Sequence, residues 1–378
     1  MLSPKTGKDL CLTDAYFTVM IVMIKLSLIG AGNIAAAHAA AAESLAGRVE
    51  VVAVVDPRLS AASAMADRFG AKAFESVAHL LADATTAEAI GAALICTPPS
   101  ARVDLVQQVL ERGWAVLVEK PLAHRLIDAE RLSRLSASFP NQPAAVGLCH
   151  RFTPAVDAMA EITRRGEIGR LVRVENVFAA TIPGMDTHWM SDPEVSGGGS
   201  LLDAGSHSLD LMQHLVGPCE LAGAVTSHAW PGRGDSNATI LLRGGAGGVT
   251  ESLAPVACQI ATGWAEPTRF HLRLTGERGA IAYDFEKAQQ LTVIDASGET
   301  RVDSVETHES RFARQLDRFL ASVEARRLLA PLCSFTDAAR IMRLIAKIDN
   351  AVLPDARVLA QSSSMVAAAK KQPVATTS

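Results

Sequence analysis

The stretch that most limits what this chain can become is Lys25–Ile29 running straight into Gly30-Ala31-Gly32-Asn33-Ile34-Ala35. An apolar strand that turns on G-x-G-x-x-A and enters an alanine-rich helix is the opening of a doubly wound α/β domain. Gly30 permits the tight turn, Gly32 leaves the backbone open to a pyrophosphate, and Ala35 lets the helix lie close to the strands. The helix start, with Asn33 and Ile34, offers free N–H groups and a positive dipole end to phosphates. The next apolar run, Val49–Val55, ends on Asp56. A carboxylate there accepts both hydroxyls of an adenosine ribose and repels a 2′-phosphate, so NAD is the expected cofactor. Arg58 keeps NADP open. A glycine turn alone arises by chance, and a doubly wound domain with a vacant crevice is the competing reading.

The rest of the first third keeps the same alternation. Ile24–Ile29, Val49–Val55, Ala92–Cys96, Ala115–Val118 and Ala144–Leu148 read as strands. Asn33–Leu45, Ser60–Phe69, Ala101–Arg112 and His124–Ser138 read as helices between them. Near-continuous apolar strands alternating with helices mean a parallel sheet covered on both faces. After His150 the texture changes to successive strands with Gly and Pro turns: Arg170–Thr181, Glu220–His228, Ala238–Arg243, Gly248–Val256, Phe270–Thr275, Ala280–Phe285 and Leu291–Ile294. These make a mainly antiparallel second sheet with one face covered by helices. Helices over His308–Ala325 and Ser334–Ala351 close the chain. The expected organisation is a poorly structured extension over 1–22, a Rossmann domain over 23–148, an α+β domain over 149–355 and a flexible tail over 356–378.

Charge narrows the partners. Lys and Arg number 36 against 40 for Asp and Glu, for a net charge of -4, and no stretch clusters bases as a nucleic-acid or lipid-headgroup surface would. Neither nucleic acid nor membrane is an expected partner. The apolar run Ala15–Ile24 behind Lys5 and Lys8 has a superficial look of a signal peptide, but the only small-residue stretch fit for cleavage follows Gly32 and lies beyond the glycine turn. It is also short of the roughly 20 residues a membrane span needs. The six cysteines at 11, 96, 149, 219, 258 and 333 form no C-x-x-C and no cluster with histidine. Reduced thiols in a cytoplasmic protein without a metal site are the expectation.

The chemistry is expected where strands end at the crevice. Thr97-Pro98-Pro99 makes a stiff wall after one strand, and Glu119-Lys120-Pro121 ends another. A desolvated lysine beside a nicotinamide exchanges a hydrogen bond with a carbinol oxygen, although from this tripeptide alone a surface lysine is the simpler reading. The densest stretch is Gly197-Gly198-Gly199 followed by a helix carrying Asp203, His207 and Asp210. Asp203 and His207 stand i, i+4 and share a face. A carboxylate beside an imidazole orients it for proton transfer, although such a pair is often a structural hydrogen bond. Imidazole suits removal of a hydroxyl proton near neutral pH better than unperturbed lysine. His214 reads as structural.

On these residues the chain resembles the glucose–fructose oxidoreductase / inositol dehydrogenase / rhizopine-catabolism (Gfo/Idh/MocA) family. Glu119-Lys120-Pro121 and the D-x-G-x-H-x-x-D of Asp203–Asp210 behind a triple glycine carry the resemblance, which runs from about Ile24 to Ala351. It implies a Rossmann domain followed by an open-faced sheet domain, often used for oligomerisation. It also implies that Lys120 and His207 flank the reacting carbon, that Asp203 binds substrate or positions His207, and that Lys120-Pro121 is cis. Two positions depart from the family. Arg102 stands where members often carry a histidine, and His150 stands where they often have Asn or Arg. Arg102, His150, Arg151 and Trp189 are therefore candidate substrate contacts. Arg151 is as well explained by a helix-start salt bridge, and Trp189 by a buried domain seam.

The expectation is an NAD(P)-dependent dehydrogenase of a secondary hydroxyl on a sugar, polyol or inositol-like compound, working as a homodimer or homotetramer. The alternatives are an NADPH-dependent reductase of an aldehyde, ketone or imine, and a sensor that binds dinucleotide and sugar without turnover.

Overall fold

The computed structural model describes residues 23–245, 247–251, 254–285, 290–305 and 310–351. The expected N-terminal extension, the apolar run up to residue 22, Cys11 and the expected tail lie outside these residues.

The first domain is built as the apolar runs require. In chain order it holds β1 (Ile24–Ile29), α1 (Asn33–Ser44), β2 (Val49–Val55), α2 (Leu59–Ala66), β3 (Lys72–Phe74), α3 (Val77–Ala82), α4 (Ala84–Ala89), β4 (Ala92–Ile95), α5 (Arg102–Glu111), β5 (Ala115–Val118), α6 (Leu126–Ala137) and β6 (Ala144–Val146). Every residue of β4 and β5 is buried, the mark of strands covered on both faces. The strands order as β6-β5-β4-β1-β2-β3, all parallel, so the order reverses between β1 and β4. A crevice opens outside the carboxyl ends of the strands at such a reversal. The short elements β3, α3 and α4 were not expected. Caps explain the two helices: Ser76 accepts from His79 N–H and Asp83 from Thr86 N–H.

The second domain follows with α7 (Pro154–Arg164), β7 (Leu171–Ala179), α8 (Pro193–Ser196), α9 (Ser200–Val216), β8 (Cys219–Ser227), β9 (Asn237–Gly244), β10 (Val256–Gly263), β11 (Arg269–Gly276), β12 (Gly279–Asp284), β13 (Gln290–Ile294), β14 (Thr300–Ser304) and α10 (Arg311–Ala325). Helix α7 begins on Pro154, where a missing N–H does no harm, and was also not expected. The sheet runs β14-β13-β12-β11-β7-β10-β9-β8 and is antiparallel except at β7–β10. That parallel pair needs a crossover, and α9 lies within it. The strand expected over Gly248–Val256 is corrected to β10. Gly247, Gly248 and Glu251 have φ of 114, 74 and 54°, a turn rather than a strand. Val249 and Thr250 donate instead to the His214 and Leu215 carbonyls at the end of α9. Helix α10 starts at Arg311 behind a Ser310 cap, and the expected residues 308–309 lie outside those described.

The chain then returns to the first sheet. β15 (Cys333–Ser334) pairs antiparallel with β6, and a helix over 335–351 follows, α11. Leu316, Phe319 and Leu320 of α10 share a core with β1 and α1, whereas Phe335, Ile341 and Ile345 of α11 join the core that runs under both sheets. Among the described residues no helix is long and apolar enough to cross a membrane, and no group of three or more His, Cys, Asp or Glu is placed to hold a metal ion.

Candidate active site

A cleft of about 740 Å³ opens where the crevice was expected, between the first sheet's carboxyl edge and the start of α9. Gly30, Gly32, Asn33, Ile34, Asp56, Arg58, Thr97, Pro98, Glu119 and Lys120 all line it. Gly30 has φ +99°, and a Cβ there would stand 2.9 Å from the Cys96 carbonyl, so no other residue fits. In front of Gly32 a Cβ would meet nothing within 4 Å. That open backbone at the N-terminus of α1, twelve residues long, is fit for a pyrophosphate.

Asp56 is braced rather than free. Its Oδ2 accepts the Ala31 N–H at 2.9 Å, and Oδ1 accepts the Arg58 N–H at 2.9 Å and its Nε at 3.2 Å. Burial opposes ionisation, but these donors prevail and hold the carboxyl below its usual range. Arg58 points outward with its side chain 69% exposed, leaving the ends of its fork free at the cleft mouth.

Glu119 turns its carboxylate inward. Oε1 meets His38 Nε2 at 2.7 Å and Oε2 accepts the Lys120 N–H at 3.0 Å. Burial pushes its pKa up, yet the His38 hydrogen bond with the charges of Lys120 and Arg102 brings it below the ordinary value. The Lys120–Pro121 peptide is cis. The Lys120 ammonium reaches across the cleft to Asp203 Oδ1 in a close ion pair. The triple glycine makes this approach possible. A Cβ on Gly197 would lie 2.1 Å from the His124 carbonyl oxygen, and one on Gly199 2.1 Å from that of Asp235, so side chains there would push α9 away.

Asp203 and His207 are not hydrogen-bonded to each other, which corrects the expected pair. Asp203 Oδ1 takes Lys120, and Oδ2 accepts Trp264 Nε1 at 3.1 Å. A helical side chain leans toward its N-terminus, so this short carboxylate tilts away from position 207. His207 sits one turn further along α9, is 7% exposed and is not part of the cleft wall. Its ring packs edge-to-face on His150 at 4.5 Å between centroids, and its Nδ1 is buried without a partner among the described residues. Burial, reinforced by the charges of His150, Lys120 and Arg311, holds its pKa well below 6.5. The imidazole is therefore neutral, and the same burial opposes a charge on it.

The four candidate substrate contacts fall in three different places. Trp189 is 43% exposed and lines the cleft beside His188, which caps the turn by accepting the Met190 N–H. His150 is buried among His207, Phe178 and Phe285 behind the wall, its pKa lowered to about 3 by burial and the charges of Arg311 and Lys120. Arg151 is corrected: it grips Asp210 through Nε at 2.8 and Nη2 at 2.6 Å and gives Nη1 to the Pro331 carbonyl. Asp210 holds its guanidinium charged despite burial. Arg102 is corrected too. Although it touches the cleft, its Nε and Nη2 bind the Thr97 carbonyl at 3.0 and 2.6 Å, and Nη1 binds those of Glu119 and Pro121. It staples the loops after β4 and β5 together. Sequence reasoning missed His38, hidden as one polar residue in an alanine run, and Trp264, which follows the misplaced strand.

Two family models match the chain. One, an oxidoreductase family with an NAD-binding Rossmann fold, covers residues 24–147; the other, the GFO/IDH/MocA C-terminal domain, covers 156–282. The rhizopine catabolism protein MocA of Rhizobium meliloti is 29% identical over 58% of this chain and 66% of its own length. Inositol 2-dehydrogenase of Rhizobium meliloti (strain 1021) is 26% identical over 82% of this chain and 91% of its own. A levoglucosan dehydrogenase solved with NADH and levoglucosan superposes with a TM-score of 0.78 at 18% identity, over 88% of this chain and 98% of that one, a likeness of fold.

Proposed function

Because the chain belongs to the Gfo/Idh/MocA oxidoreductase family and carries its NAD-binding Rossmann domain, we propose that it is a dehydrogenase acting on a secondary hydroxyl of a cyclic sugar or polyol. When bound, the nicotinamide supplies or takes the hydride. The residues present fit a dinucleotide: the open backbone at Gly32, the start of α1, and the Asp56 carboxylate at the end of β2.

The observation that carries the reading is the Lys120–Asp203 ion pair in the cleft wall with a neutral imidazole one turn behind it. Lys120 donates a hydrogen bond to the reacting oxygen, and its charge favours the alkoxide character that develops there. His207 takes the hydroxyl proton as the carbonyl forms, and returns it in the reverse direction. Asp203 balances the ammonium and keeps it in place. Trp189 borders the sugar. The open face of the second sheet, with Val225, Leu241 and Val302 exposed, pairs copies into a dimer or tetramer, which light scattering measures. The dispersed reduced thiols go with a cytoplasmic location.

A screen of inositols, aldoses, sugar acids and their phosphates, followed by NADH absorbance, tests the proposal. His207→Ala and Lys120→Met should each lower turnover at least a hundredfold, the scale of general acid–base assistance, with NADH affinity little changed. Near-normal turnover in both variants would end the assignment. The exposed fork of Arg58 favours a second reading, a reductase using NADPH, which tight NADPH binding without NADH binding would support.

A further inference from the structure

Asp203 is held from two sides by residues of different domains. Lys120 follows β5, whereas Trp264 follows β10, at the far end of the second sheet's central pair. The first turn of α9 favours an acid at this position through the helix dipole. That preference does not decide which oxygen faces which partner; Trp264 does.

The indole is not free to choose. Trp264 is 1% exposed, its backbone N–H donates to the Ser236 carbonyl at 2.8 Å, and its backbone carbonyl accepts from Ile182 N–H at 3.0 Å. Just before it, a Cβ on Gly263 would stand 2.1 Å from Asn237 Nδ2 and 2.5 Å from Glu266 Oε1, two groups that are themselves hydrogen-bonded at 2.9 Å. The backbone is thus fixed on both sides of the tryptophan. A buried indole N–H is a donor with no acceptor role, and it needs a partner. Asp203 Oδ2 is that partner.

We propose that Trp264 is a positioning residue of the reaction: its N–H anchors the Asp203 carboxylate so that Oδ1 stays on Lys120 and does not turn to His207. The consequence is a division of labour. The carboxylate neutralises the lysine, while the imidazole one turn along keeps no anionic partner and remains neutral. The kinetic part of this inference rests on the dehydrogenase reading. The geometric part stands without it.

The test uses the full chain carrying Trp264→Phe, which keeps an aromatic ring and removes the donor, beside Trp264→Ala, which removes both. A hydrogen bond to a charged group sets the scale at about ten- to a hundredfold. In Trp264→Phe, kcat should fall by that factor with KM for NAD near that of the parent. A Trp264→Phe variant with parental kcat, beside a destabilised Trp264→Ala, would mean packing alone and overturn the inference. The second readout needs no substrate. Trace acylation by acetic anhydride, quantified by peptide mass spectrometry against exposed Lys25, reports how firmly Lys120 is paired. Labelling of Lys120 should rise severalfold in Trp264→Phe, as it should in the control Asp203→Asn. Parental labelling overturns the inference whatever the kinetics show. If no polyol is turned over by the parent, the dehydrogenase reading fails, and labelling still decides the role of Trp264.

Discussion

Replacing His38 by leucine tests how the fold tolerates the buried carboxylate of Glu119 beside Lys120. His38 and Glu119 meet at 2.7 Å with side chains 0% and 5% exposed, so the pair is almost wholly shielded from water. Leucine keeps the volume and removes the donor. Losing one hydrogen bond to a charged group costs about 1.5–3 kcal/mol, and orphaning a buried ion costs about 3–5 kcal/mol. The Lys120 N–H remains on Oε2, so the loss should lie near where these ranges meet, at about 3 kcal/mol. That lowers the thermal midpoint by about 6–12 °C. Its pH dependence is the sharper part. In the parent, Glu119 titrates below its ordinary 4.5, so its stabilising share is complete above that pH and is lost as the pH falls through the lowered value. Without His38, burial wins and the carboxyl titrates above 4.5, so protonation relieves the variant early. The deficit should be largest near pH 7.5 and shrink toward pH 5. Urea unfolding of both proteins across this range measures it, and the difference cancels the titration of the other buried groups. Adding Glu119→Gln to the leucine variant should recover most of the loss. An equal deficit at both pH values, or none, would show that the carboxylate does not depend on His38.

Two further outcomes follow from groups already placed. Removing the outward fork with Arg58→Ala should weaken NADP relative to NAD by about tenfold, the scale of a phosphate's charge-assisted hydrogen bond, and titration with both dinucleotides reads the ratio. Burial holds His150 and His214 near pKa 3 and His207 well below 6.5, so the unfolded chain binds their protons first. Stability should be complete above pH 6.5 and decline as pH falls from there toward 3, by about 1.4 kcal/mol per pH unit for each histidine. His214→Gln should remove about a third of that slope in urea midpoints, and an unchanged slope would mean that His214 is protonated in the fold.

The first domain was legible because its signals are local. β4 and β5 are wholly apolar runs, β1 and β2 are apolar but for Lys25, Ser27 and Glu50, and Gly30 announces a turn that a Cβ would block. The site was legible only through resemblance, since Lys120 and Asp203 are 83 residues apart and nothing in either segment encodes their meeting. Arg151 and Arg102 looked like free cations for the same reason. The acceptor of the first lies 59 residues away, and those of the second are backbone carbonyls, which a sequence does not display. β10 was displaced because Val249 in the turn at Gly247–Glu251 and Leu253 and Ala254 after it read as a strand, and an error of eight residues there hid Trp264. His38 was hidden by its neighbours: among alanines its burial is fixed by α1 packing on α10, a contact known only once Phe312 is placed against its ring.

His38, Glu119, Lys120, Asp203 and Trp264 form one line of contacts from α1 to the end of β10, crossing the cleft once. The links differ in strength in an instructive way. The outer ones, His38 to Glu119 and Trp264 to Asp203, anchor each carboxylate to a buried ring of its own domain. The middle one, Lys120 to Asp203, has side chains 18% and 20% exposed, so water reaches it more than the His38–Glu119 pair and screens part of its attraction. Each domain therefore sets the position of its own half of the site, and the contact that joins them is the weakest in the line. Lys120→Met should then leave the unfolding free energy within about 1 kcal/mol of the parent's, which makes its effect on turnover a measure of chemistry. A large loss of stability in that variant would place the strength of the line at the cleft and contradict this ordering.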